Sequence, residues 1–313
     1  MAITGIDRIT YGVEDMASAQ RFFTDWGLKP LTTEAEHLLF STQDGSQIEV
    51  CKLDNPELAP AFETGSTLRE VIWGVESQAD VDALVAKLKS HPEVPQVAAR
   101  DGIERFIDPN GMCIGFRVSE RHHAPVKGSV MNTYDRPDAR IDERSTVYDR
   151  AEPVKVGHVV FFAPNLEQTE QFYRELLGFQ VSDRYPHRGV FLRCNPAGGH
   201  HDMFLLRVSE TRRGVNHVAF TVRDIHEVFG GGLHISRCGW KTQIGPGRHP
   251  ISSAYFWYVN NPCGGLAEYY SDEDYLTADW QPKEDWVTCN ENYAEWAING
   301  GVDGHTRRQY LPE

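Results

Sequence analysis

Three ionisable residues in the second half of the chain occupy positions where an apolar side chain would be expected. His158 lies in Val156-x-His158-x-Val160-x-Phe162, His217 in Val215-x-His217-x-Ala219-x-Thr221, and Glu268 in Leu266-x-Glu268-x-Tyr270. Side chains alternate faces along a strand, so each of the three takes an inward slot among apolar neighbours. Such a group costs on the order of several kcal/mol unless it is paired or metal-bound. Any one of them would pass as a satisfied core residue or half of a buried ion pair. Three together point to one shared centre. Two neutral imidazoles and a carboxylate form the facial donor set that suits Fe(II) and leaves coordination positions open.

Further polar groups gather in the same half. His200-His201-Asp202 opens a strand, and Gly247-Arg248-His249 precedes the strand that carries Tyr258. A histidine pair is ordinarily solvated and a strand tyrosine is ordinarily core. Beside a facial triad they become candidates for acid–base work.

The elements that must position these residues repeat along the chain. Gly5-Ile6-Asp7 through Met16 and Val156-Gly157-His158 through Leu166 are each a β-rich run, a polar turn and a helical pattern. The two helices end at Trp26-Gly27-Leu28 and Leu177-Gly178-Phe179, as a helix C-terminus prefers. A second shared unit begins at Val71-Ile72-Trp73 and at Val218-Ala219-Phe220, and closes at Asp108-Pro109-Asn110-Gly111 and at Asn261-Pro262-Cys263-Gly264. The chain therefore reads as α+β, with four βαβββ units at roughly 5–52, 68–118, 155–207 and 215–271. Aligning the halves sets Arg8 opposite His158, Glu70 opposite His217 and Gly115 opposite Glu268. A cation and a glycine cannot ligate a metal, so residues 1–121 read as a structural module without ligands. Residues 122–152 read as a polar linker, 153–275 as the metal-binding catalytic module, and 276–313 as a tail. Trp280, Trp286 and Trp296 in that tail imply packing onto something, whether a dimer contact, a brace or a lid.

The 31 basic and 45 acidic residues leave a net charge of -14, with no basic patch for nucleic acid or an anionic membrane. No apolar run reaches the roughly 18 residues of a membrane span. Six scattered cysteines without a C-x-x-C read as reduced thiols, and with the unremarkable N-terminus they place the protein in the cytoplasm. Edge strands and the aromatic tail favour a homo-oligomer, with Arg307-Arg308-Gln309-Tyr310 ordered in the assembly or frayed.

The motifs Gly157-His158-Val159, His200-His201-Asp202, Asn216-His217-Val218, Gly247-Arg248-His249 through Tyr258, and Glu268-Tyr269 resemble those of the type I extradiol ring-cleavage dioxygenases of the vicinal-oxygen-chelate superfamily. The resemblance spans about residues 5–275 and implies two vicinal-oxygen-chelate domains. It implies Fe(II), with Mn(II) as a substitute, on His158, His217 and Glu268, and dioxygen as co-substrate. His201 would be the acid–base residue, Tyr258 would bond the ionised catechol oxygen, and His249 would orient the substrate. Asp202 would orient a histidine or simply face solvent. The expected substrate is a hydrophobic substituted catechol of aromatic catabolism, with Phe191, Trp257 and Tyr255 as candidate pocket walls. Arg184, Arg188, Arg193 and Arg248 are candidates for a substrate carboxylate. Two readings compete: a two-module iron dioxygenase acting on 2-oxo acids, and a non-catalytic small-molecule-binding protein of the same fold. A glyoxalase-type isomerase would draw ligands from both halves, which Arg8 and Gly115 oppose.

Overall fold

The structure, a computed structural model, describes residues 3–302, so Arg307 to Tyr310 lie outside the described residues. The first half runs β1 (Ile3–Val13), α1 (Met16–Asp25), β2 (Lys29–Thr33), β3 (His37–Ser41), β4 (Gln47–Lys52), β5 (Thr67–Val75), α2 (Gln78–Lys89), β6 (Gln96–Arg100), β7 (Ile103–Ile107) and β8 (Cys113–Val118). The second runs β9 (Lys155–Phe162), α3 (Leu166–Gln171) with a π-helical turn to Leu176, β10 (Gln180–Tyr185), β11 (Gly189–Arg193), β12 (Gly198–Gly199), β13 (Met203–Leu206), β14 (Gly214–Thr221), α4 (Ile225–Arg237), β15 (Thr242–Arg248), β16 (Tyr255–Asn260) and β17 (Leu266–Ser271). The tail adds β18 (Tyr275–Leu276), α5 (Asn290–Tyr293) and β19 (Trp296–Asn299). The four units expected from the repeat are all present. The first sheet is ordered β2-β3-β4-β1-β5-β8-β7-β6 and the second β10-β11-β13-β9-β14-β17-β16-β15-β19. In each, the opening strands of the two units pair antiparallel at the centre.

Local signals explain the helices that flank the sheets. Asp15 caps α1 by accepting from the Ser18 N–H, and Ala19, Phe22 and Phe23 bury its apolar stripe. The helix stops at Gly27, whose φ of +94° suits glycine and whose hydrogen faces the Ala151 carbonyl too closely for a Cβ. Asp224 caps α4, where Gly231 and Gly232 let the helix settle onto the sheet and Gly230 lets the linker pass close at Tyr148. A Cβ on Gly232 would meet the Trp257 ring at 2.0 Å. Each half also lends a helix to its neighbour. Trp26, at the C-terminal cap of α1, stacks on Tyr269 of β17 at 3.6 Å, and the Tyr269 hydroxyl donates to the Trp26 carbonyl. In return, Tyr173 after α3 donates to Asp108 of the first half, and Phe179 meets Trp73 edge-on. One apolar core therefore runs through both halves. Among the described residues no helix is long and apolar enough to cross a membrane.

Strand register bears out the alignment of the halves. His158 faces Ala219 and Ala219 faces Glu268 across β9, β14 and β17. Arg8 faces Ile72 and Ile72 faces Gly115 across β1, β5 and β8. Glu70 pairs with Thr10 as His217 pairs with Val160. Where the second half gathers three donors, the first holds an ion-pair cluster. Arg8 reaches Glu70 at 3.4 Å and Glu49 at 3.8 Å, Arg105 reaches Glu70 at 3.1 Å, and Arg100 reaches Glu49 at 2.6 Å. Burial raises the Glu49 carboxyl, but the guanidiniums of Arg8 and Arg100 outweigh it and hold the group below its ordinary value.

Arg8→Met strands two buried carboxylates with one guanidinium each and should cost about 3 kcal/mol at pH 7 in denaturant unfolding. A carboxyl with a depressed folded pKa contributes stability above its unfolded pKa and loses it as pH falls through the folded value. The difference between wild type and variant should therefore shrink as pH falls below the ordinary glutamate range, about 4.3, and through the lower folded value of Glu49.

Candidate metal centre

Three adjacent central strands bring His158, His217 and Glu268 together. The Nε2 atoms of the two imidazoles lie 3.3 Å apart, and each is 3.2 Å from Oε2 of Glu268. All three side chains are buried, Glu268 with 1% of its surface exposed. Oε2 of Glu268 accepts no aligned hydrogen bond from either ring, so three lone-pair atoms form a near-equilateral triangle with an unsatisfied carboxylate corner. Donors about 3 Å apart are what a small divalent ion bound about 2.1 Å from each requires.

The protonation states fit a cation as well. His217 Nδ1 lies 2.6 Å from Oδ1 of Asn216, an acceptor, so Nδ1 carries a proton and Nε2 is the nitrogen that the neutral ring offers to a cation. Burial pushes the His158 imidazole below its ordinary value, towards the neutral ring. Burial pushes the Glu268 carboxyl up, but protons on the neighbouring His158, His217 and His249 rings outweigh it and hold it well below its ordinary range, and a bound cation would take the place of those protons. Neutral imidazoles and an ionised carboxylate are the forms that ligate. Gly157 has its own part here, because a Cβ would strike the Tyr270 hydroxyl at 2.0 Å. Its absence lets the Tyr270 ring pack 4.9 Å from His158.

His201 and the His249–Tyr258 pair border the same cavity of about 270 Å³. The His201 ring lies over His158 with centroids 4.1 Å apart. Burial first, then the neighbouring His158 and His200, push it well below the ordinary imidazole value, so it is a neutral ring. Nδ1 of His249 lies 2.6 Å from the Tyr293 carbonyl and must donate there, which leaves Nε2 to accept from the Tyr258 hydroxyl at 3.1 Å. Burial, then the Glu268 carboxylate, raise Tyr258 well above the ordinary phenol, so its proton is retained.

Several expectations meet a different geometry. His200 is not a solvated surface residue but wholly buried, its Nε2 3.1 Å from Oδ2 of Asp183 and its Nδ1 3.1 Å from Nδ1 of His201. The strand begins at Met203, after the histidine pair. Asp202 orients no histidine and instead accepts from the Cys194 backbone N–H at 2.8 Å. Phe191 lines the cavity, whereas Trp257, on the opposite face of β16 from Tyr258, packs beneath α4 and donates to Thr242. Tyr255 shares that parity and lies beside Trp296. Of the four arginines, Arg184 is held by Glu170, Arg193 by Val181 and Ser182, and Arg248 by Glu295. Arg188 alone of these lines the cavity. Sequence reasoning missed Asp183, although the alternation Val181-x-Asp183-x-Tyr185 carried the same signal as the ligands. It missed Tyr293 because no periodicity marks the tail, whose Cys289, Asn292 and Tyr293 wall the cavity.

Residues 155–269 match the family model described as Glyoxalase/Bleomycin resistance protein/Dioxygenase superfamily. The chain is 28% identical over 279 residues to metapyrocatechase 2 of Cupriavidus necator, covering 88% of this chain and 83% of the relative. The Mn(II)-bound glyoxalase of Novosphingobium aromaticivorans superposes with a TM-score of 0.74 at 25% identity, over 100% of this chain and 95% of that one. Homoprotocatechuate 2,3-dioxygenase of Arthrobacter globiformis superposes with a TM-score of 0.71 at 20% identity, over 94% and 88%, and shares the fold. The segment 155–269, which holds all three donors, is thus similar to the Glyoxalase/Bleomycin resistance protein/Dioxygenase superfamily model, and the likeness of the chain to metapyrocatechase 2 extends through both halves.

Proposed function

We propose that this protein opens the ring of a substituted catechol beside its two hydroxyls, using Fe(II) and dioxygen. The observation that carries this reading is the convergence of His158, His217 and Glu268 with His201 and the His249–Tyr258 pair on one cavity. Its sequence relative from Cupriavidus necator is named for the same chemistry. Fe(II) held by the three donors, or Mn(II) in its place, supplies a centre at which catecholate and dioxygen exchange electrons, a reaction otherwise spin-forbidden.

The side chains supply the rest. His201, neutral and beside the ligands, takes a proton from a substrate hydroxyl and returns it as the ring opens. Tyr258 keeps a proton that turns from His249 to an ionised catechol oxygen when substrate binds, and His249 beside it helps orient that substrate. Burial of these groups keeps bulk water from competing for their hydrogen bonds. The carbon–carbon bond beside one hydroxylated carbon breaks, and both atoms of dioxygen end in the muconic semialdehyde or dienoate ketone. At about 270 Å³ the cavity is near the small end of ligand sites, about 300–1,000 Å³, which suits a single substituted ring. Val160, Phe191, Phe204, Leu206 and Ile251 favour a hydrophobic substituent, with Arg188 the exposed cation among the lining residues. Tyr275, Val287, Trp296 and Ile298 expose apolar surface on the tail, which supports self-association.

A glyoxalase-type isomerase fits less well, because all three donors come from one half and the first half fills the matching place with ion pairs. Protein purified without oxygen should contain about one iron per chain and consume oxygen with a panel of substituted catechols, giving a yellow ring-opened product. Iron bound with no catechol consumed would favour the 2-oxo-acid reading. No metal under any loading condition would leave a binding protein.

His217→Ala should lose iron and activity together, as metal analysis and oxygen uptake would report. His201→Ala should retain iron while kcat falls about 10²–10⁴-fold. Equal loss of metal in both variants would refute the separate roles.

A further inference from the structure

His201 is backed by two buried groups with no place in the chemistry so far. Asp183, 4% exposed on β10, accepts the Lys283 backbone N–H at Oδ1, 2.7 Å away. Its Oδ2 lies 3.1 Å from Nε2 of His200, and Nδ1 of His200 lies 3.1 Å from Nδ1 of His201. The backbone N–H of His200 is anchored on Glu273, and Phe191 packs against both rings, so neither histidine can swing away.

We propose that Asp183 and His200 form a buried relay that fixes the tautomer of His201, holding its proton on Nδ1 and presenting a bare Nε2 to the cavity. A carboxylate whose Oδ1 already accepts from Lys283 accepts at Oδ2 as well, so the proton of His200 resides on Nε2. In the neutral ring its Nδ1 is then an acceptor, and the facing Nδ1 of His201 must be the donor. The one nitrogen of His201 left without a proton is Nε2, on the ring edge away from His200. Once His201 takes up a proton there, its charge is met through His200 by a carboxylate already in line. Both Asp183 and His200 are positioning residues, because neither lines the cavity.

The relay rests on the acid–base role given to His201, but it can be tested separately. In the wild-type protein loaded with diamagnetic Zn(II), long-range ¹H–¹⁵N spectra of labelled histidines read the tautomers directly. The expected result is His201 protonated at Nδ1 and His200 protonated at Nε2. His201 protonated at Nε2, or His200 protonated at both nitrogens, would overturn the proposal. Asp183→Asn sharpens the test. The Lys283 N–H requires the amide oxygen, which turns the amide NH₂ towards His200 and forces both rings into the opposite tautomer. With Fe(II), that variant should keep its metal and its KM within about twofold while kcat falls about 10²–10⁴-fold. His200→Asn, which can present an acceptor near the position of Nδ1, should recover activity relative to His200→Leu. Wild-type tautomers with full turnover in Asp183→Asn would refute the relay and leave the catechol reading intact. The expected tautomers with no catechol turned over by the wild type would refute that reading and leave the relay intact.

Discussion

Everything at the site depends on holding three electron-pair donors within 3.3 Å of one another, away from water. Left to themselves, two imidazoles and a carboxylate would separate or hydrogen-bond elsewhere. What prevents this is strand register. His158 and Glu268 both face Ala219, and His217 sits two residues along β14 on the same side. A slip of one residue in β9 or β17 would send a donor to the opposite face, into the layer that packs on α4. The apolar surroundings of these strands are therefore part of the site: they fix the register and exclude the solvent that would otherwise satisfy the donors.

The two halves show what one backbone does with two side-chain sets. In both, the centre of the sheet is a place where side chains from three strands converge. The first half fills it with Arg8, Glu70 and the neighbouring Glu49, Arg100 and Arg105, a set that neutralises itself. The second fills it with lone pairs that need an external charge. Gly115 marks the difference, since a Cβ there would lie 2.7 Å from Ile103 where the second half accommodates a whole glutamate. The first half still serves the site mechanically, because Trp26 stacks on the residue next to Glu268 and braces β17 from behind.

Most of this could be read from the sequence because it follows period-two alternation and a repeat. His158, His217 and Glu268 are conspicuous as ionisable residues in apolar strands, and the repeat alone located the four units. His201, His249 and Tyr258 stood out as polar residues in the same half, their separate roles came with the resemblance, and the cavity gathers them. Relations set by irregular chain stayed hidden. Asp183 had the right pattern, but its partner His200 lies before a strand, where alternation does not specify direction. Asp202, adjacent in sequence, was the natural guess and bonds a backbone amide instead. Trp257 and Tyr255 were expected in the pocket on residue type, and the parity of Tyr258 on the same strand already excluded them.

The tail contacts the site through main-chain atoms. The Tyr293 carbonyl directs His249, and the Lys283 amide holds Asp183. Neither bond depends on which side chain stands at that position, only on the path of the chain. Side chains of the same segment, at Cys289, Asn292 and Tyr293, face the ligand space. Selectivity and proton placement are thus written in different atoms of one stretch of polypeptide. Substitutions there can reshape what the cavity admits while the scaffold of acid–base contacts persists, provided the backbone keeps its course.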